Sequence, residues 1–298
     1  MPAGIDLALI TPTQYDFPMT LSDHIHAAAK SGRPLIMGII NATPDSFSDG
    51  GQFDRPELAL QHAEQMVKAG VDILDIGGES TRPGAEPVAE AQELARVIPI
   101  IEILRQRLDT PISIDTMKPG VMQAAVEAGA RMINDVNGLR QEHALETAAD
   151  LQVPVCVMHM QGDPITMQQQ PRYRSVVDEV MDFFQTRMQQ CNAAGIQAEH
   201  LILDPGFGFG KTLQHNLELL AALPKLAKLA PLLVGISRKS MLGTITGRQQ
   251  ANDRVAASIA AAVLAADRGA AIVRVHDVQE TVDALRVRTA LKAVEESD

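Results

Sequence analysis

Tryptophan is absent, tyrosine occurs twice, and aromatic residues make up 3% of the chain. Platforms for stacking nucleic-acid bases are therefore poorly supplied. Positive charge is scarce too: Lys and Arg total 26 against 37 Asp and Glu, a formal net charge of −11. This balance argues against a general nucleic-acid or membrane-surface binder, and it means that an anionic substrate must be drawn in by local cations or a metal. Cysteine occurs only at Cys156 and Cys191, in apolar or helical surroundings. Reduced thiols, no disulfide and a cytoplasmic location are expected. No apolar run reaches the roughly 18 residues needed to span a bilayer. The first residues show no cationic stretch ahead of an apolar block, so no secretory signal is expected.

What the chain does have is apolar content, 46% of 298 residues, enough for a substantial core. It also has an internal echo. The segments VKAGVDILDIGG, VEAGARMINDVNG and ADRGAAIVRVHD each run a helical pattern into Gly70, Gly129 or Gly269, then into a short apolar strand. Glycine there suits the left-handed residue that closes a helix. NAAGIQAEHLILDPG is a fourth copy with a longer linker. Ala59, Ala63, Met66 and Val67 share one helical face, as do Val121, Ala124, Ala125 and Ala128.

Eight apolar runs read as strands: Leu35–Ile40, Ile73–Ile76, Ile112–Ile114, Met132–Val136, Val155–Met158, Leu201–Leu203, Leu232–Ile236 and Ala271–Val275. Continuous apolar runs suit a parallel sheet covered on both faces. Helical patterns separate them, which predicts an α/β chain folded as a (β/α)8 TIM barrel, with a doubly wound sheet as the competing layout. Residues 1–33 read as an N-terminal appendage, a candidate to close the barrel floor, and residues 34–298 as a single barrel domain.

Most of these strands end on a polar residue: Asn41, Asp75, Asp115, Asn134, His159, Asp204, Ser237 and His276. One polar strand end is ordinarily a turn or cap. Eight of them, in a fold whose strand ends open on one face, suggest a shared cup. Two wet loops follow the first two strands, Ala42 to Phe53 and Gly78 to Pro87, and both have the Gly, Ser, Thr and Pro content of gating loops. DPGFGFGKT is not a phosphate loop, because Pro205 stands where its first glycine must be. His159 lacks the companions of a zinc site and reads as a hydrogen-bonding histidine; Phe207 and Phe209 read as core. No nucleophile–base pair is evident.

The blocks NATPDSFSDGG, DIGGESTRPGA, SIDT, INDV, MHMQG, LDPGFGFGK, GISRKSMLG and RVHDV run in order from about residue 33 to 290. In order and spacing they resemble the dihydropteroate synthase family. The resemblance implies a barrel that condenses 6-hydroxymethyl-7,8-dihydropterin diphosphate with 4-aminobenzoate, releases diphosphate with Mg2+, acts in folate biosynthesis and is a sulfonamide target. It implies a pterin pocket of Asp115, Asn134, Asp204 and Lys239. The chemistry is apt, since a carboxylate accepts a fork of two N–H groups and an amide both donates and accepts. It implies a diphosphate grip of Asn41, Thr81, Arg274 and His276, with Asn41 touching the metal. Phe47, Thr81, Arg82, Pro83 and Ser240 would shape the aminobenzoate pocket and loops. Asp115, Lys239, Arg274 and His276 would carry catalysis, by dissociative loss of diphosphate before the arylamine attacks. A homodimer is implied as well. The competing readings are a methyltetrahydrofolate-binding methyltransferase barrel, a non-catalytic pterin-binding paralogue, and, for Arg274 and His276, a plain strand-end salt bridge with Asp277.

Overall fold

The computed structural model describes residues 19–43, 55–80, 84–162 and 166–295. Eight parallel strands close on themselves: β1 (Leu35–Asn41), β2 (Ile73–Gly77), β3 (Ile112–Asp115), β4 (Met132–Asp135), β5 (Val155–Met158), β6 (Leu201–Asp204), β7 (Leu232–Val234) and β8 (Ala270–Val275). Closure is decided by β8 pairing with β1, Leu35 opposite Ile272 and Met37 opposite Arg274, which rules out an open doubly wound sheet. The helices are α1 (Leu21–Ser31), α2 (Arg55–Ala69), α3 (Glu90–Arg107), α4 (Pro119–Ala128), α5 (Ala144–Leu151), α6 (Val176–Ala193), α7 (Leu213–Leu226), α8 (Ser240–Thr246), α9 (Val255–Asp267) and α10 (Val278–Glu295).

The repeated glycines work as expected. Gly70, Gly129 and Gly269 have φ of 100°, 121° and 92°. Each turns the chain from a helix end into the next strand. At the first of these joins, the N–H groups of Gly70 and Val71 both donate to the Met66 carbonyl. Strand side chains then alternate. Leu74, Ile76, Ile112 and Ile114 pack outward against the helices, while Ile73, Met132, Cys156, Ile202 and Ile272 pack inside the barrel. Two residues further along, the inward position becomes polar on four strands: Ile73 gives way to Asp75, Met132 to Asn134, Ile202 to Asp204 and Ile272 to Arg274. The barrel therefore has an apolar floor and a polar mouth, and strand direction alone sets which is which.

Helix α1 covers the floor. Thr20 and Asp23 cap it reciprocally: the Asp23 N–H donates to Thr20 Oγ1 at 3.2 Å and the Thr20 N–H donates to Asp23 Oδ2 at 2.8 Å. Ile25 and Ala28, 1% and 5% exposed, pack with the inward floor residues of the strands. The Arg288 guanidinium on α10 donates to the Gly32 carbonyl at 2.7 Å, tying the end of α1 to the last helix.

β7 is shorter than its apolar run suggests, ending at Val234. Its register against β8 shifts at Leu232/Leu233, and Gly235 follows, so Ile236 and Ser237 leave the sheet and Ser237 sits in a loop. Among the described residues, no helix is long and apolar enough to cross a membrane. Cys156 and Cys191 are buried free thiols.

If α1 closes the core, Ile25→Ala should cost roughly 2–4 kcal/mol, the range for emptying a buried aliphatic site. Urea denaturation measures this. A loss near zero would mean that the floor is held without α1.

Candidate active site at the barrel mouth

Three charged side chains on three strands form the centre of the mouth. Arg274 on β8 donates through Nε to Asp75 Oδ2 on β2 at 2.6 Å and through Nη2 to Asp115 Oδ2 on β3 at 2.7 Å. Asn134 on β4 donates from Nδ2 to the same Asp75 oxygen at 3.2 Å. Asp75 is fully buried, and its side chain thus fixes two neighbours at once. The remaining guanidinium donors of Arg274, a fifth of whose side chain is exposed, are not used in these bonds.

The second half of the mouth is built by the loop after β6. Asp204, 6% exposed, accepts the Gly206 N–H at Oδ1 (2.8 Å). Lys239, at the start of α8, donates from Nζ to the Phe207 carbonyl of that loop, and the same ammonium lies 4.6 Å from the centre of the Phe209 ring. Phe207 itself is fully buried. Phe209 and Met117 pack on a small apolar cluster, Val136, Met158, Met160 and Met167, at the ends of β4 and β5. An apolar wall beside a ring of buried hydrogen-bonding groups suits a flat, polar-edged heterocycle. At the edge, His276 Nδ1 lies 3.0 Å from Ser237 Oγ.

Burial shapes the charges. It pushes the Asp115 carboxyl up to about 7 against the pull of Arg274, with Asp75 adding repulsion. It raises Asp204 as well, offset by Lys239. It lowers Lys239 to about 8, with Asp204 opposing. For Arg274 burial works against the charge, but Asp75 and Asp115 outweigh it and its pKa rises.

The model of the family described as pterin binding enzyme matches residues 37–276. The chain is 50% identical over 265 residues to the dihydropteroate synthase of Escherichia coli K12, covering 89% of this chain and 94% of that one. The structure of the Xanthomonas albilineans dihydropteroate synthase with 4-aminobenzoic acid superimposes with a TM-score of 0.83 at 53% identity, covering 88% of this chain and 94% of that one. The Burkholderia cenocepacia dihydropteroate synthase complexed with 7,8-dihydropteroate gives 0.82 at 51% identity, covering 89% and 94%. The chain belongs to the dihydropteroate synthase family.

Of the residues expected for a dihydropteroate synthase site, Asp115, Asn134, Asp204, Lys239 and Arg274 stand around one mouth. His276 lies one residue beyond β8, Ser240 opens α8 and is exposed, and Asn41 ends β1 and is exposed. Phe47, Thr81, Arg82 and Pro83 lie outside the described residues. Asp277 pairs with Arg238, which donates from Nε to Oδ2 at 3.0 Å, so it is not the strand-end partner of Arg274. Arg274 turns inward to two carboxylates, a contact that its spacing from His276 does not reveal. Sequence reasoning placed Asp75 at a strand end and gave it no role, and it passed over the methionine wall. The pattern MHM, which begins on the last residue of β5 and runs past the strand end, was the available signal for the wall.

Asp115 as a carboxylate and Lys239 as an ammonium are the charged forms that the site can use. Asp115 is ionised above about 7, so activity should fall as pH drops through that value; Lys239 is charged below about 8, so activity should fall again as pH rises past it. The kcat/KM profile for the pterin substrate should be a narrow bell, and Asp115→Asn should remove its acid limb alone. A profile without an acid limb, or a limb that survives this substitution, counts against Asp115.

Proposed function

We propose that the chain condenses 6-hydroxymethyl-7,8-dihydropterin diphosphate with 4-aminobenzoate to give 7,8-dihydropteroate and diphosphate. The observation that carries this reading is the convergence of Asp115, Asn134, Asp204, Lys239 and Arg274, from five separate elements, on one buried, methionine-walled mouth. Asp204 accepts the pterin amino and ring N–H groups as a fork, and Asn134 pairs with the adjoining edge. Lys239, no longer held only by the Phe207 carbonyl, donates to the ring carbonyl or N5. Phe209 and the methionines pack against the ring faces.

The exocyclic C–O bond breaks, diphosphate departs with its electron pair, and a cation conjugated with the electron-rich pterin is left for the arylamine to attack and then lose a proton. No protein nucleophile is required. Asp115 faces the developing positive charge, and Arg274 keeps that carboxylate oriented while its spare donors, with His276, hold phosphate oxygens. Charge stabilisation by groups already fixed in place is the largest lever open to such a site. The family resemblance assigns Asn41 and Thr81 to the diphosphate grip and Phe47, Arg82, Pro83 and Ser240 to the aminobenzoate side; of these only Asn41 and Ser240 are among the described residues. Among the described residues no three His, Cys, Asp or Glu side chains gather where they could hold a metal. The donor in place at the rim is the Asn41 amide oxygen, a hard ligand suited to Mg2+ bound mainly through diphosphate and water. Bound there, Mg2+ would neutralise charge on the leaving diphosphate.

The apolar side chains of Val287, Leu291 and Val294 on α10, 73%, 60% and 50% exposed, recur at helical spacing on one face. This stripe supports a homodimer formed through barrel helices. The buried thiols accord with a reducing, cytoplasmic setting.

Mixing both substrates with Mg2+ should release diphosphate and form 7,8-dihydropteroate; no release would sink the assignment. Asp204→Ala should weaken pterin binding at least ~100-fold by calorimetry, about 2.7 kcal/mol, since it strips the charged acceptor from buried donors. Retained affinity in a folded variant would remove Asp204 from the pocket.

A further inference from the structure

Lys211 is a lysine 3% exposed, beside the mouth but not in it. Its ammonium donates to the Gly206 carbonyl at 2.9 Å, the Phe209 carbonyl at 3.0 Å and the His159 carbonyl at 3.3 Å, and lies 3.0 Å from His159 Nδ1. Three donors thus face four acceptors, and none is left for a ligand. This is the lysine that imitates a phosphate-loop lysine in sequence, yet its tip turns into the protein.

The loop from Gly206 to Gly210 coils around that tip. Gly206, Gly208 and Gly210 have φ of 68°, 79° and 63°. A Cβ on Gly206 would sit 1.9 Å from the His159 carbonyl oxygen, and one on Gly210 would sit 2.6 Å from that of Gln161. The glycines let carbonyls converge on one point. Converging carbonyl oxygens repel one another and, when buried, are costly to leave without a donor. A cation at their focus reverses both penalties; burial pulls the Lys211 pKa down to about 7, and the converging carbonyls and the Asp204 carboxylate are what favour its ammonium form. The same loop supplies the Gly206 N–H that orients Asp204 and the Phe207 carbonyl and Phe209 ring that hold Lys239.

We propose that Lys211 is a positioning residue for pterin binding, an internal cation that folds the β6 loop into the shape that aims Asp204 and Lys239 at the heterocycle. It touches neither substrate and acts through those two side chains; the inference rests on the function proposed above. The His159 ring serves it as a neutral acceptor at Nδ1. Burial and the Lys211 charge hold that imidazole down at about 3.

The test is calorimetric titration of the pterin diphosphate into the full chain with Mg2+, alongside steady-state kinetics. Wild-type protein that binds no pterin diphosphate would break the proposed function itself. Given wild-type binding, Lys211→Met should weaken pterin Kd 10- to 100-fold and leave KM for 4-aminobenzoate within about threefold. In a Lys239→Met background, Lys211→Met should cost clearly less than it does alone, because part of its effect passes through Lys239. If Lys211→Met does not fold, Lys211→Gln carries the same comparison, since it keeps two N–H donors for the carbonyls without the charge. Pterin affinity within twofold of wild type in a folded variant, equal loss for both substrates, or full additivity with Lys239→Met would each overturn the proposal.

Discussion

A guanidinium clamped between two buried carboxylates sets the terms for the whole mouth. Taking Asp75, Asp115 and Arg274 out of water is expensive, and the short contacts at 2.6 and 2.7 Å recover only what good geometry allows. A barrel built for stability alone would put Val, Ile or Leu at these inward positions, as it does one layer below Asp75 and Arg274 with Ile73 and Ile272, whereas Ser113 lies below Asp115. The cluster is best understood as charge held ready. Breaking either pair strands a buried ion, so the three side chains keep one arrangement without a ligand to impose it. That fixed arrangement lets Asp115 stay next to a developing cation, and it leaves guanidinium donors over for an anion.

The rest of the molecule serves to keep this charge in place. The apolar floor, sealed by α1, supplies the rigid base on which strand positions two residues higher can be polar. Helix-ending glycines deliver each strand in the same direction, so that every polar end emerges on one face. The β6 loop makes the second half of the mouth from backbone as much as from side chains, with three positive-φ glycines and an inward lysine where the amino-acid pattern superficially suggests nucleotide binding. The net charge of −11 and the three inward carboxylates, Asp75, Asp115 and Asp204, leave attraction of an anion to Arg274, Lys239, His276 and any bound metal.

The eight strand–helix units, the glycine joins and the polar strand ends were all legible in the chain, because each is a near-neighbour effect. A helix cap, an apolar run and the residue that terminates it lie within about a dozen positions of one another. Strand edges were less legible: β7 stops at Val234 after a register slip against β8 at Leu232/Leu233, and register belongs to the pair of strands. The roles of Asp75 and Lys211 were not legible. Asp75 looked like any other polar strand end, and Lys211 looked like a failed phosphate-loop lysine. Similarly, Asp277 sits next to His276 in the chain yet pairs with Arg238, 39 positions away.

By itself the sequence determined the period, direction and number of the units, the residue types at their ends, and the kinship with dihydropteroate synthases. Only the tertiary structure decided which of those ends touch. Arg274 and Asp75 are 199 positions apart, and they meet because β8 closes on β1 and the barrel wall curves their inward faces toward a common axis. Contacts of that span leave no local pattern in a chain. They arise from closure of the sheet, and closure is also what forces opposite charges on distant segments into one water-poor space, where each has to find the other.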